Sequence, residues 1–175
     1  MRRSISFIGV LSAILVVVGS SGAVSADNSM SSSSSGGSMG DHMAFIIGSW
    51  NCTVKLAAMM GNPAGTDHGI VTFSKSPGDT IHQHTAAADY AGDQYYGFNA
   101  KTKTHWTSAT DTGGVVVSET SKDGVTFTGT SFANGMSTPT RDTFTHPSAS
   151  KIRDLTEVET KGTWSMLADA NCTKM

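Results

Sequence analysis

Residues 46–56 alternate apolar and polar side chains with a period of two. Ile46, Gly48, Trp50, Cys52, Val54 and Leu56 share one side; Ser49, Asn51, Thr53 and Lys55 share the other, with Ile47 the exception. In an extended chain successive side chains point to opposite faces, so this pattern predicts a strand with one buried face. The same rhythm recurs down the chain, each run stopped by turn-forming residues. Such stops are Gly61-Asn62-Pro63-Ala64-Gly65, Ser76-Pro77-Gly78-Asp79, Asn99-Ala100-Lys101-Thr102, Asp111-Thr112-Gly113-Gly114, Lys122-Asp123-Gly124, Ala133-Asn134-Gly135 and Lys161-Gly162. Further strands are predicted at 68–74, 81–87, 94–98, 104–110, 115–120, 125–131, 141–145, 152–159 and 163–167. The chain thus reads as all-β, with about ten short strands rich in Thr, Val and aromatics. Connections this short join antiparallel neighbours. A meander of this kind closes as an up-and-down barrel or splits into two packed sheets.

The N-terminus carries an address. Arg2 and Arg3 precede an apolar run from Ile8 to Val18, broken only by Gly9 and Ser12, and small residues lead to Val24-Ser25-Ala26. A basic end, an apolar middle and a small-residue cleavage site make a secretory signal, expected over residues 1–26 with the cut after Ala26. The run is shorter than the roughly 20 residues that cross a bilayer as a helix. Residues 27–42 read as a Ser/Gly-rich flexible spacer with almost nothing to bury. The folded domain is therefore expected over residues 43–175, outside the cytoplasm, periplasmic or extracellular. No second apolar run of spanning length follows, so the mature chain is expected to have no membrane span. Net charge is −2 and no Lys/Arg cluster occurs, which gives no electrostatic reason for nucleic-acid binding.

Cys52 and Cys172 are the only cysteines. An even count in an exported chain points to a disulfide. Cys52 lies on the first predicted strand and Cys172 just past the last, so a bridge brings the ends of the sheet together. That favours the closed barrel over two packed sheets. Both cysteines sit in Asn-Cys-Thr, formally a glycosylation acceptor, although strand alternation with cysteine inward accounts for the same pattern.

Gly48-Ser49-Trp50 resembles the Gly-x-Trp signature of the calycin barrels, the lipocalins and their relatives. An ordered set of short motifs resembles more closely the bacterial DUF1579 family of small proteins. It comprises 47–52, Tyr96-Gly97-Phe98-Asn99-Ala100-Lys101-Thr102-Lys103, His105-Trp106, Asp111 with Gly113-Gly114, and Asn171-Cys172-Thr173-Lys174. The resemblance implies a lipocalin-like barrel and no particular activity. It also implies that a basic residue late in the chain packs over Trp50, a role open to Lys151, Arg153 or Lys161.

Catalytic signatures are absent or incomplete. Asp111-Thr112-Gly113 spells one aspartic-protease triplet, but that chemistry needs two carboxylates, and between two strands the triplet is an ordinary turn. His82 and His84 share a face of one predicted strand and are the candidate metal ligands, with His68, His105 or His146 as a third. His146 is also the late histidine that a haem-binding barrel of nitrobindin type would use. The nine methionines form no repeated metal-binding run and read as gap-fillers. Trp50, Trp106, Tyr96 and Phe98 are the candidate ligand-lining residues. The leading expectation is a non-enzymatic exported barrel that holds a small apolar or amphipathic molecule. The alternatives are a metal- or haem-binding barrel, a hydrolase on the same fold, and an envelope interaction protein with no pocket.

Overall fold

A computed structural model describes Met39, residues 43–58 and residues 63–175. The signal peptide, its cleavage point and all of the spacer except Met39 lie outside the described residues. The chain forms one 3-10 turn, η1 (Ala44–Ile46), followed by ten strands. These are β1 (Gly48–Leu56), β2 (Gly65–Ser76), β3 (Thr80–Ala87), β4 (Tyr90–Asn99), β5 (Thr104–Asp111), β6 (Val116–Ser121), β7 (Thr126–Ala133), β8 (Met136–Ser148), β9 (Lys151–Thr160) and β10 (Thr163–Lys174). Each pairs antiparallel with its neighbours in sequence, and β1 pairs with β10, closing an up-and-down barrel. No helix among the described residues is long and apolar enough to cross a membrane.

The turns follow from local chemistry. Asn134-Gly135 and Lys161-Gly162 take positive φ at both central positions (50° and 75°, 52° and 77°), the conformation a two-residue hairpin with right-handed strand twist requires. Four strands run further than their patterns predict: β2 and β4 each gain five residues, and β8 and β10 more. β8 begins at Met136 and passes through Pro139, a residue that ordinarily demotes a segment from strand. Pro139 is tolerated because β8 pairs with β9 only from Thr140 onward, so at Pro139 it has a neighbour on one side. β10 does not end near Leu167 but continues to Lys174, with a register shift between Met166 and Ala168. That bulge interrupts the alternation on which the shorter prediction rests.

Cys172 therefore lies within the last strand, directly opposite Cys52, and the two form a disulfide. The bridge spans a sequence separation of 120 across the β1–β10 seam, where the loop-closure model assigns it about 5 kcal/mol.

The two halves of the interior differ. At the end where β1 begins, Ile46, Trp50, Phe73, Ile81, Phe127 and Phe144 form an apolar floor. Met39 and Met43, both fully buried, join it. Met39 falls within the stretch read as spacer, yet its carbonyl accepts the Met43 amide at 3.0 Å and its Sδ lies 3.3 Å from His105 Nδ1. The Trp50 indole N–H donates to the Ile46 carbonyl at 2.6 Å, fixing η1 beneath the barrel. The cation over Trp50 is Lys174, 5.3 Å from the ring and 3.3 Å from the Phe45 carbonyl. It replaces the expected Lys151, Arg153 or Lys161: continuation of β10 brings Lys174 opposite Trp50, while Arg153 is engaged by Asp169 on the outer wall. Above the floor, polar side chains share the interior with apolar ones such as Val54, Val158 and Ala170.

Candidate functional site

Alternation sends one residue in two of each strand inward. From β3, β4, β5, β6, β8 and β9 the inward set contains Gln83, Gln94, Thr107, Glu119, Asp142 and Asp154. These sit at mid-height, enclosed by the closed ladder. Most contacts are local. The Tyr96 hydroxyl donates to Gln83 Oε1 at 2.8 Å, and Gln83 Nε2 donates to Thr85 Oγ1 at 3.2 Å. Gln94 Nε2 donates to Thr107 Oγ1 at 2.6 Å.

Glu119 reaches further. It lies opposite Gly129 on β7, and Gly129 lies opposite Thr140 on β8. A Cβ at position 129 would collide with the Ser118 carbonyl and come within 2.9 Å of Glu119 Cγ. The missing side chain is what lets the Glu119 carboxyl cross β7 and accept the Thr140 hydroxyl at 2.7 Å. It also meets Asp142, which is hydrogen-bonded in turn by Thr156.

Glu119 and Asp142 are 2 % and 5 % exposed. Two carboxylates cannot sit together unprotonated in a dry interior, so the pair holds a proton. Burial pushes Glu119 up to about 9, and the neighbouring Asp142 adds to the rise. Burial pushes Asp142 up to about 6, opposed by hydrogen bonds from Thr156 and Glu119. The pair therefore shares a proton near neutrality. Asp154, the third acid, is held well above the ordinary carboxylate range by burial and then by the Asp142 charge.

Asp154 borders a cavity. Its walls are the Cys52–Cys172 bridge, Val54, Val71, Phe73, Phe144, Ile152 and Ala170, with Gln83, Thr85 and Asp154 as the polar members. Its volume is about 30 Å³, space for roughly two water-sized groups. Asp154 Oδ1 is buried without a hydrogen-bond partner, and so is Gln94 Oε1.

The sequence-derived candidates separate on this frame. Tyr96 is inward and belongs to the mid-height polar group. Trp50 is fully buried in the floor. Phe98 packs against the floor with its ring 4.8 Å from His105. Trp106 stands on the outer wall, its ring lying over Gly97, where a Cβ would overlap it. These four aromatics do not converge on one pocket. Sequence reasoning missed Glu119, Asp142 and Asp154. The available signal was an acid at an inward position of an alternating strand, paired across β7 with a glycine.

His82 and His84 both face outward from β3 and converge on one carboxylate. His82 Nε2 and His84 Nδ1 lie 2.7 and 2.9 Å from Asp93 Oδ1, and Tyr95 stacks on His82 at 4.7 Å. No group of three or more His, Cys, Asp or Glu among the described residues could hold a metal ion. His146 is exposed and packs on Phe45 at 4.1 Å. A haem does not fit the described interior: its late histidine is outside, and the cavity of about 30 Å³ is far smaller than the macrocycle. Asp111 Oδ1 accepts the Gly113 and Val115 amides at 2.8 and 3.0 Å, so the protease-like triplet is a capped turn.

No protein-family model matches the chain, and no curated protein matches it.

Proposed function

We propose that the protein is a non-catalytic binding barrel that takes a small amphipathic molecule into its interior. The apolar part of the molecule lies against Val54, Val71, Phe73 and the disulfide, and its polar end meets Asp154. The observation that carries this reading is the largely apolar-walled cavity that Asp154 borders, with Asp154 Oδ1 buried and without a hydrogen-bond partner. Small-molecule sites have this composition, a mostly apolar wall with a few polar groups that fix orientation. With the wall closed, the occupant has a few non-hydrogen atoms. The signal-like N-terminus and the disulfide support action outside the cytoplasm, in the periplasm or medium, after cleavage near Ala26. The resemblance of the ordered motifs to those of the DUF1579 family is what supports placing the chain there.

The test is native mass spectrometry of protein purified from its own source, beside the cavity-filling variant Ala170→Leu. The reading expects a small adduct on the natural protein that is lost in the variant. An unliganded natural protein whose interior exchanges only water overturns it.

A further inference from the structure

Resting on the binding reading, we infer that the interior cavity recognises a small organic cation of the alkylammonium class, its N–H groups accepted at Asp154 and its alkyl part lying against Val71 and the Cys52–Cys172 bridge. Asp154 lines the cavity, and its Oδ1 is a buried oxygen with no hydrogen-bond partner. Once ionised, the Asp154 carboxylate can only accept, so the partner that stabilises that form is a donor.

Charge gives the same answer. Three acids on three strands, Glu119 on β6, Asp142 on β8 and Asp154 on β9, face one interior, with the Tyr96 hydroxyl from β4 beside them. His105 on β5 lies lower, in the floor against Met39. Every described Lys and Arg is on the outer wall, in a turn or, as Lys174, at the closed end. The acids therefore lack a buried cation, and an anion entering beside them would be repelled. A cation instead supplies both the missing donor and the missing charge. Cavity volume limits its size: space for about two water-sized groups takes methylammonium as it stands, and ethylammonium, one methylene longer, with a small shift of the wall.

Proton balance follows. With Asp154 protonated in the empty barrel, binding of RNH₃⁺ converts its carboxyl to carboxylate and releases one proton to solvent. The ion pair then stands in the cavity, with the Asp142 charge further stabilising the cation. Affinity for the ammonium must rise with pH, by about tenfold per unit wherever Asp154 has to give up its proton.

The experiment is an NMR titration of the oxidised, folded protein, following the Gln83 and Ala170 amides. The probes are ethylammonium chloride, ethanol as its neutral counterpart and sodium acetate as its anionic one, at pH 5, 6, 7 and 8. The inference expects ethylammonium alone to saturate in the millimolar range and to tighten with pH. Asp154→Asn should weaken it at least about tenfold, and Ala170→Leu should abolish it. If ethanol binds as tightly as ethylammonium and Asp154→Asn changes neither, the cation inference falls while interior binding stands. If no probe moves the interior amides, both fall. Persistence of ethylammonium binding in a folded Ala170→Leu chain overturns the assignment to this cavity. Should Asp154→Asn fail to fold, the pH series on the natural chain decides: an affinity independent of pH overturns the inference.

Discussion

The two walls of this barrel handle carboxylates in opposite ways. Arg153 and Asp154 are neighbours in sequence, yet one is on the outer face and the other faces the interior. Outside, Asp169 accepts Arg153 Nε at 2.7 Å and Arg153 Nη2 at 3.1 Å, and this pairing holds its carboxyl below the usual range. Asp93 is held low in the same way, first by the hydrogen bond to His84 and then by His82. Glu157 accepts Arg141, whose guanidinium also lies 4.6 Å over Trp164. Inside, Glu119, Asp142 and Asp154 have no such partners and are all held high, chiefly by burial. The lesson is that the two-residue period of a strand decides ionisation as well as burial. A one-residue step carries a carboxyl from a solvated, paired setting into a dry one that favours the proton.

The largest effect is expected from breaking the inner wall at Gly129. Gly129→Ala puts a methyl group against the Ser118 carbonyl and 2.6 Å from Glu119 Cα, both on the neighbouring strand. Backbone atoms in a closed ladder yield little, so the variant should lose about 3 kcal/mol, the upper end of ordinary overpacking. Urea denaturation checks this. A loss below about 1 kcal/mol would mean that Glu119 does not lie over Gly129 as described.

Next in size is the response to pH, where the two walls make opposite contributions. Folded Glu119 keeps its proton up to about 9, whereas the unfolded chain releases it near the ordinary 4.5. Stability from that group is fully present below 4.5 and is lost as pH rises toward 9. Asp142 acts in the same sense between 3.8 and about 6. The outer acids Asp93 and Asp169 act oppositely: their contribution is present above the ordinary 3.8 and is lost as pH falls below it. Stability should therefore peak near pH 4, between the ordinary values of 3.8 and 4.5, and fall toward pH 9. Urea midpoints at pH 4.5, 7 and 9 test the window, and Glu119→Gln should flatten the alkaline decline. A natural protein equally stable at pH 5 and pH 9 would remove the buried acid pair from the account.

These effects bear on what the sequence discloses. The barrel is legible because alternation and turn chemistry are local, and the seam is legible because Cys52 and Cys172 bracket the strands. The inward acids are legible only in part. Glu119 alternates with Val117 and Ser121, so the pattern alone marks it as facing the same way as an apolar residue. What the chain hides is company: Asp142 and Asp154 join Glu119 through the closed ladder, and the gap at Gly129 has meaning only once β6, β7 and β8 are side by side. The aromatic candidates fail to converge for a related reason. Aromatic content says that a side chain packs, and Trp106 satisfies that on the outer wall over Gly97. Lys174 at Trp50 depends on a bulge in β10 that leaves no clear local signature.

A smaller effect should come from the outer wall. Arg153→Ala breaks a two-point ion pair whose arginine side chain is 45 % exposed, so solvent screens most of its Coulomb energy. The expected loss is about 0.5 kcal/mol at low salt, falling further in high salt. Salt dependence is the readout that separates this pair from the interior, because the buried acids are shielded from counterions.

The smallest effect is expected at Asp93, which joins His82 and His84 on the outer face of β3 and β4. Asp93→Asn is the same acid-to-amide change as Glu119→Gln, made on the other wall, which is what makes the two comparable. Asp93 is 45 % exposed, and water replaces much of what the imidazoles provide. The variant should stay within about 0.5 kcal/mol of the natural protein near neutral pH, and should lose only the acid-side contribution of that carboxyl. Glu119→Gln, in contrast, should gain stability relative to the natural protein as pH rises, because it no longer has a proton to lose. Opposite signs from one chemical change would establish that the face of the strand, rather than the type of residue, sets the energetics. A loss of several kcal/mol from Asp93→Asn would show instead that the two walls do not differ in the way their carboxyl environments imply.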